Sequence, residues 1–198
     1  MTERIGEIIE TDSFTFVAES FILNRPPALG SLVKVQGERG TWIYGVVAFG
    51  ETVSVDPARG AVRRSRPGAY DDAVYASHPE LEHLLHTKFT VIPVGSLAGG
   101  RVSQRLPAQP PPMHYSVYAC GPDEVGRFSE RRLYLRTLAT AQVPVPVEHV
   151  LAAHLEWTYE QRGRDEAWLE QAALEVAGLL QQDVERLLAV LYAVDPET

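Results

Sequence analysis

The sequence predicts an α+β fold: a small N-terminal β-barrel of about six strands followed by a C-terminal all-α helical region. Three observations carry this expectation. Residues 1–120 divide into short β-branched and aromatic runs separated by Gly, Pro, Asn and Asp. Glycine stands inside two of the runs, Gly6 in Ile5-Gly6-Glu7-Ile8-Ile9 and Gly45 in Ile43-Tyr44-Gly45-Val46-Val47, where closing a small barrel needs a bulge or tight bend. After Gly121-Pro122 the apolar period turns helical. The domain boundary is placed there, giving a barrel over 1–120 and a domain of three to four helices over 123–198.

Residues 5–10 and 14–20 read as a hairpin around Thr11-Asp12-Ser13, with Phe14, Phe16 and Ala18 on one face. Asn24-Arg25-Pro26-Pro27 cannot continue a ladder, because proline lacks an N–H. Residues 32–36 form the third strand and 42–49 the longest apolar one, with 52–55 as its extension. Residues 57–73 are a polar surface loop. Residues 77–85 read as a short helix with Leu81, Leu84 and Leu85 on one face. A hairpin of 88–95 and 101–106 is expected to close the barrel. A stiff proline connector, 107–112, then leads to a last strand over 114–120. Helices are expected over 123–140, 146–162, 164–180 and 183–194. Gly178 leaves open whether the last two are separate or one kinked helix.

Composition narrows the function. Hydrophobic residues make up 45% of the 198 and charged residues 22%, enough apolar material for a core without metal or disulfide staples. The formal net charge of −8 argues against non-specific nucleic-acid binding, which needs clustered Lys and Arg. Two local basic clusters, Arg63-Arg64-Ser65-Arg66 and Arg127 with Arg131 and Arg132, read as a solvated loop and a solvated helix face. The single cysteine, Cys120, rules out an intramolecular disulfide and fits a reducing compartment. The first residues do not read as a signal peptide, and no run suits a membrane span, so a cytoplasmic location is expected.

No stretch supplies a catalytic motif. Gly95-Ser96-Leu97-Ala98-Gly99-Gly100-Arg101-Val102 has the glycine spacing of a phosphate loop. Arg and Val stand where Lys and a hydroxyl belong, and a strand follows where a helix is required. His83 and His86, near His78 and Glu80, lack the further ligands of a metal site. Cys120 and His114 lie too far apart along one strand to pair. No catalytic, cofactor-binding or metal-binding residue is therefore assigned. The candidate interaction surface is Trp42, Tyr44, Arg63, Arg64 and Arg66.

The runs Ile5-Gly6-Glu7-Ile8-Ile9, Phe14-Thr15-Phe16-Val17, Leu29-Gly30-Ser31-Leu32-Val33-Lys34-Val35 and Ile43-Tyr44-Gly45-Val46-Val47 resemble the HAS barrel, the N-terminal barrel of HerA-type DNA translocases. The resemblance covers residues 3–120. Where that family carries its RecA-like ATPase, this chain has helices and no usable phosphate loop. The resemblance implies a non-catalytic module for assembly and partner docking, without a cofactor, working with a HerA-like ATPase ring, its nuclease partner or a second copy. The alternative is a barrel that binds single-stranded nucleic acid through Trp42, Tyr44 and the arginines at 63, 64 and 66.

Overall fold

The computed structural model describes residues 3–58, 60–181 and 183–194. Seven strands form one antiparallel sheet: β1 (Arg4–Thr11), β2 (Phe16–Ser20), β3 (Leu32–Gln36), β4 (Trp42–Ser54), β5 (Leu85–Ala98), β6 (Arg101–Ser103) and β7 (Ser116–Ala119). Their order is β2-β1-β7-β3-β4-β5-β6, and β2 also pairs with β5. That pairing, Phe16–Glu19 against 88–91, closes six strands into a barrel. Of the hairpin expected to close the barrel, only β5 does so. β6 is not a stave: it continues β5 as a short hairpin whose Gly99 and Gly100 both have positive φ, 54° and 78°, as a type I′ turn demands. The phosphate-loop spacing is thus a β-turn.

Asp12 makes the first turn. Its Oδ1 accepts from the N–H of Phe14 and Thr15, at 2.6 and 2.8 Å, and these bonds lower its pKa. That turn withdraws Phe14 from the ladder. Phe14 is 72% exposed, and only Phe16 and Ala18 of the expected trio face the core. The register shifts at Tyr44/Gly45, so the glycine inside β4 does mark a bulge.

The barrel has two buried faces. Ile8, Phe16, Ala18, Val33, Val35, Val47, Phe89, Val91 and Val117 fill its interior. The outward residues Leu32, Tyr44, Val46, Ala48, Ile92 and Val94 belong instead to a larger cluster shared with the helices. Strands β3 to β5 are therefore apolar on both faces where the helices cover them, which is why they read as near-continuous hydrophobic runs. β1 and β2 carry the simpler alternation of one buried face.

Between β4 and β5 the chain makes an excursion over 55–84. The expected helix over 77–85 is replaced by α1 (Asp72–Ser77) and α2 (Leu81–Leu84), and Leu85 already begins β5. The excursion caps the far end of the long β4–β5 pair.

Five helices follow: α3 (Pro122–Ser129), α4 (Leu135–Ala139), α5 (Val147–Gln161), α6 (Glu166–Leu179) and α7 (Val184–Val194). α3 starts where predicted, with Pro122 in the first turn and the Glu124 carboxylate reaching back to the Gly121 N–H. The single helix expected over 123–140 is split. Trp168 Nε1–H donates to the Ser129 carbonyl at 2.8 Å, and Gln104 Nε2–H donates to the carbonyls of Phe128 and Arg131. These partners replace the intrahelical donors at the break, leaving Leu133 62% exposed while Leu135 and Leu138 are buried. α6 and α7 are separate helices. Gly178 lies inside α6, and Asp183 Oδ1 accepts the Arg186 N–H at the start of α7.

The helices are locked to the barrel at one point. Gly30 has φ +80°, and a Cβ there would lie 2.4 Å from the Ala153 carbonyl carbon and the His154 nitrogen of α5. His154, fully buried, donates from Nδ1 to the Gly30 carbonyl at 2.6 Å, and its Nε2 accepts from the Tyr134 hydroxyl at 2.8 Å. Both bonds suit the neutral imidazole. Burial lowers the His154 pKa from 6.5 to about 4, partly opposed by the bond to Gly30.

Two outcomes follow at this junction. Gly30→Ala is expected to destabilise the protein by about 3 kcal/mol in urea titrations, since both the backbone conformation and the space disfavour a Cβ. For His154 the folded pKa lies below the unfolded one. Its stabilising effect is thus fully present above pH 6.5 and is lost as pH falls towards 4, by ~3 kcal/mol. His154→Gln should flatten that part of the stability–pH curve; an unchanged curve would place the proton elsewhere.

Candidate interaction surface

The sequence-derived residues Trp42, Tyr44, Arg63, Arg64 and Arg66 do not form one surface. Trp42 begins β4, whereas Arg63 and Arg64 lie in the excursion beyond its other end. Tyr44 is 3% exposed, with its ring 4.7 Å from that of Phe128. Burial, followed by the neighbouring Cys120 and Glu124, pushes its phenol up to about 12. Trp42 is half-buried, edge-on to Tyr118 at 5.6 Å and with the Lys34 ammonium 4.8 Å from its ring centre. Lys34 itself is buried on the outer face of β3 and paired with Glu124 of α3. Tyr44 therefore stitches the barrel to α3, and Trp42 packs beside the Lys34 that pairs with Glu124 of α3.

Cys120 ends the barrel beside this group. Burial, with the Glu124 carboxylate adding to it, pushes its thiol well above the ordinary value, so it is a small apolar core residue at neutral pH. His114 is exposed on a separate turn, 2.9 Å from Glu7. His78 faces Glu80 and His86 faces Glu19, while His83 lines the excursion. Among the described residues no group of three or more His, Cys, Asp or Glu has the arrangement of a metal site.

What the tertiary structure adds is a groove of about 850 Å³ between the excursion and the end of the β4–β5 pair. Val55, Val62, Val74, Tyr75 and Leu84 supply its apolar lining, with Arg63 and Arg64 among them. Val62 is 69% exposed, Val55 52% and Leu84 44%, so apolar surface gathers here rather than scattering. Arg64 lies 3.6 Å from Glu80. Arg66 stands apart on the tight bridge it forms with Ala69. Only the arginine run signalled this groove in the sequence. The valines and leucines of 55–84 show no period that would have singled them out.

No family model and no curated protein matches this chain. Among the described residues, no helix is long and apolar enough to cross a membrane.

The Lys34–Glu124 pair yields a test of the α3 attachment. Glu124→Gln leaves the Lys34 charge buried without its partner and should cost about 1–2 kcal/mol, since Glu124 is itself partly solvated. Adding Lys34→Met should recover most of that loss in the same denaturation assay; no recovery would mean that Glu124 acts through the helix cap instead.

Proposed function

We propose that this chain is a non-catalytic protein-interaction and assembly module that serves a HerA-like ATPase ring or its nuclease partner. The observation that carries the reading is the exposed apolar groove on the excursion 55–84, held away from the barrel–helix core at the end of a long strand pair. Apolar residues gathered at a surface groove mark a docking face more often than a solvent-facing one. Asp71, on the groove's rim, has φ 52° and ψ −126°, a conformation that costs about 1–3 kcal/mol and recurs where a surface is shaped for contact. The barrel is closed and its interior is filled by side chains, so it holds no ligand cavity of its own. The resemblance of its strands to the HAS barrel supplies the choice of partner. That choice is fold analogy and rests on the strand pattern of residues 3–120.

The single-stranded nucleic-acid reading has less support. Its aromatic platform is spent: Tyr44 is in the core, and Trp42 carries Lys34 and Tyr118 on its ring.

Affinity purification of the full chain from its native host tests the proposal. An ATPase or nuclease should co-purify, and the pair Val62→Glu with Leu84→Glu should abolish capture without lowering the melting temperature. If no such protein is recovered and the chain sediments as a monomer, the reading is wrong.

A further inference from the structure

A second surface lies on the opposite side of the chain's architecture, where the β5–β6 hairpin meets α3. Arg101 and Arg105 come from the hairpin, and Arg127 and Arg131 from α3 and the turn after it. All four are exposed and line one groove of about 510 Å³. The two segments are more than twenty positions apart in sequence. Gln104 fixes them together by donating both amide hydrogens, at 2.6 Å to the Phe128 carbonyl and at 2.7 Å to that of Arg131. None of the four arginines is paired with a carboxylate among the described residues, and Glu130 is the one acid in the lining. Arg132, next in sequence, behaves differently: it pairs with Glu175 at 3.2 Å and with Gln171.

Four arginines against one glutamate leave this groove positive in a protein of net charge −8. Like charges held together raise the energy of the free protein, and a groove with low-dielectric walls focuses their field on an incoming anion. Guanidinium forks suit carboxylate and phosphate oxygens alike. Two features favour a peptide over a nucleic acid. The only aromatic ring in the lining, Phe128, is 1% exposed and lies between Tyr44 and Tyr134, so there is no free face on which a base would stack. Beside the arginines, Leu133 stands 62% exposed, an apolar contact that a peptide side chain can cover and a phosphodiester backbone cannot.

We infer that the groove between the β5–β6 hairpin and α3 binds a short acidic segment of a partner protein, with its carboxylates on Arg101, Arg105, Arg127 and Arg131 and an apolar residue against Leu133. This rests on reading the chain as an interaction module and names the chemistry of one of its contacts.

The test uses the full chain and a fluorescein-labelled Glu-rich peptide with a central Leu, followed by fluorescence anisotropy. Saturable binding is expected, weakening as salt rises. Arg127→Glu with Arg131→Glu should reduce affinity roughly tenfold or more, and Arg101→Glu with Arg105→Glu likewise, whereas Arg25→Glu with Arg39→Glu, exposed and outside both grooves, should leave it unchanged. Circular dichroism melts establish that each variant is folded. Absence of saturable binding, or equal loss in the Arg25/Arg39 variant, overturns the inference. So does tighter binding of oligothymidylate through the same four arginines, or a dimer in sedimentation that Arg127→Glu with Arg131→Glu dissociates, which would make a second copy the occupant. A native assembly that survives these variants while the peptide fails to bind removes this surface alone and leaves the module reading standing.

Discussion

One buried imidazole holds the two halves of this protein in register. His154 reaches from α5 to the Gly30 carbonyl at the entrance to β3, and on its other side it takes the Tyr134 hydroxyl. It thereby satisfies both of these groups in a buried place, where leaving either of them unpaired would cost about 1–3 kcal/mol. The bond is short because Gly30 lets the backbones of a loop and a helix touch. Around it the helices bury Val150, Leu151 and Leu155 on the outward face of β3 to β5.

This attachment changes what the helical region is. It is a cover for one side of the barrel, and the apolar cluster it completes is larger than the barrel's own interior. Lys34–Glu124, the Trp42 ring and Tyr44 reinforce the same seam at the start of α3. The two surfaces proposed as contacts are the excursion at the end of the β4–β5 pair, and the arginine groove where the β6 hairpin rests on the outer side of α3. The excursion contributes little to the core, whereas α3 buries Val125 and Phe128 on one face and presents Arg127 on the other.

The candidate surface was only partly legible. Arg63 and Arg64 do lie in a groove, because a polar run rich in Gly and Pro stays at the surface in almost any fold. Trp42 and Tyr44 looked like an aromatic platform because an alternating strand has two faces and nothing local says which is covered. Here the outward face is covered by α3, so Tyr44 is core. The cluster Arg127, Arg131 and Arg132 was visible as a basic stretch. Its division into two free arginines and one paired with Glu175 depends on α6, forty residues further on.

The sequence by itself determined the barrel strands in their order along the chain, the turn at Asp12 and the change to helix after Gly121. These depend on side-chain period and on the local chemistry of Gly, Pro and Asp, which act within a few residues. Tertiary structure alone decided that β7 inserts between β1 and β3, that β5 rather than β6 closes the barrel on β2, and that the helix after Gly121 breaks near Glu130. Each is settled by long-range hydrogen bonds: the β1–β7 and β3–β7 ladders, the β2–β5 ladder, and the Trp168 indole on Ser129 with the Gln104 amide on Phe128 and Arg131. Such bonds compete with local preference on nearly equal terms, since one hydrogen bond and one residue's helix propensity are of similar size, about 1 kcal/mol.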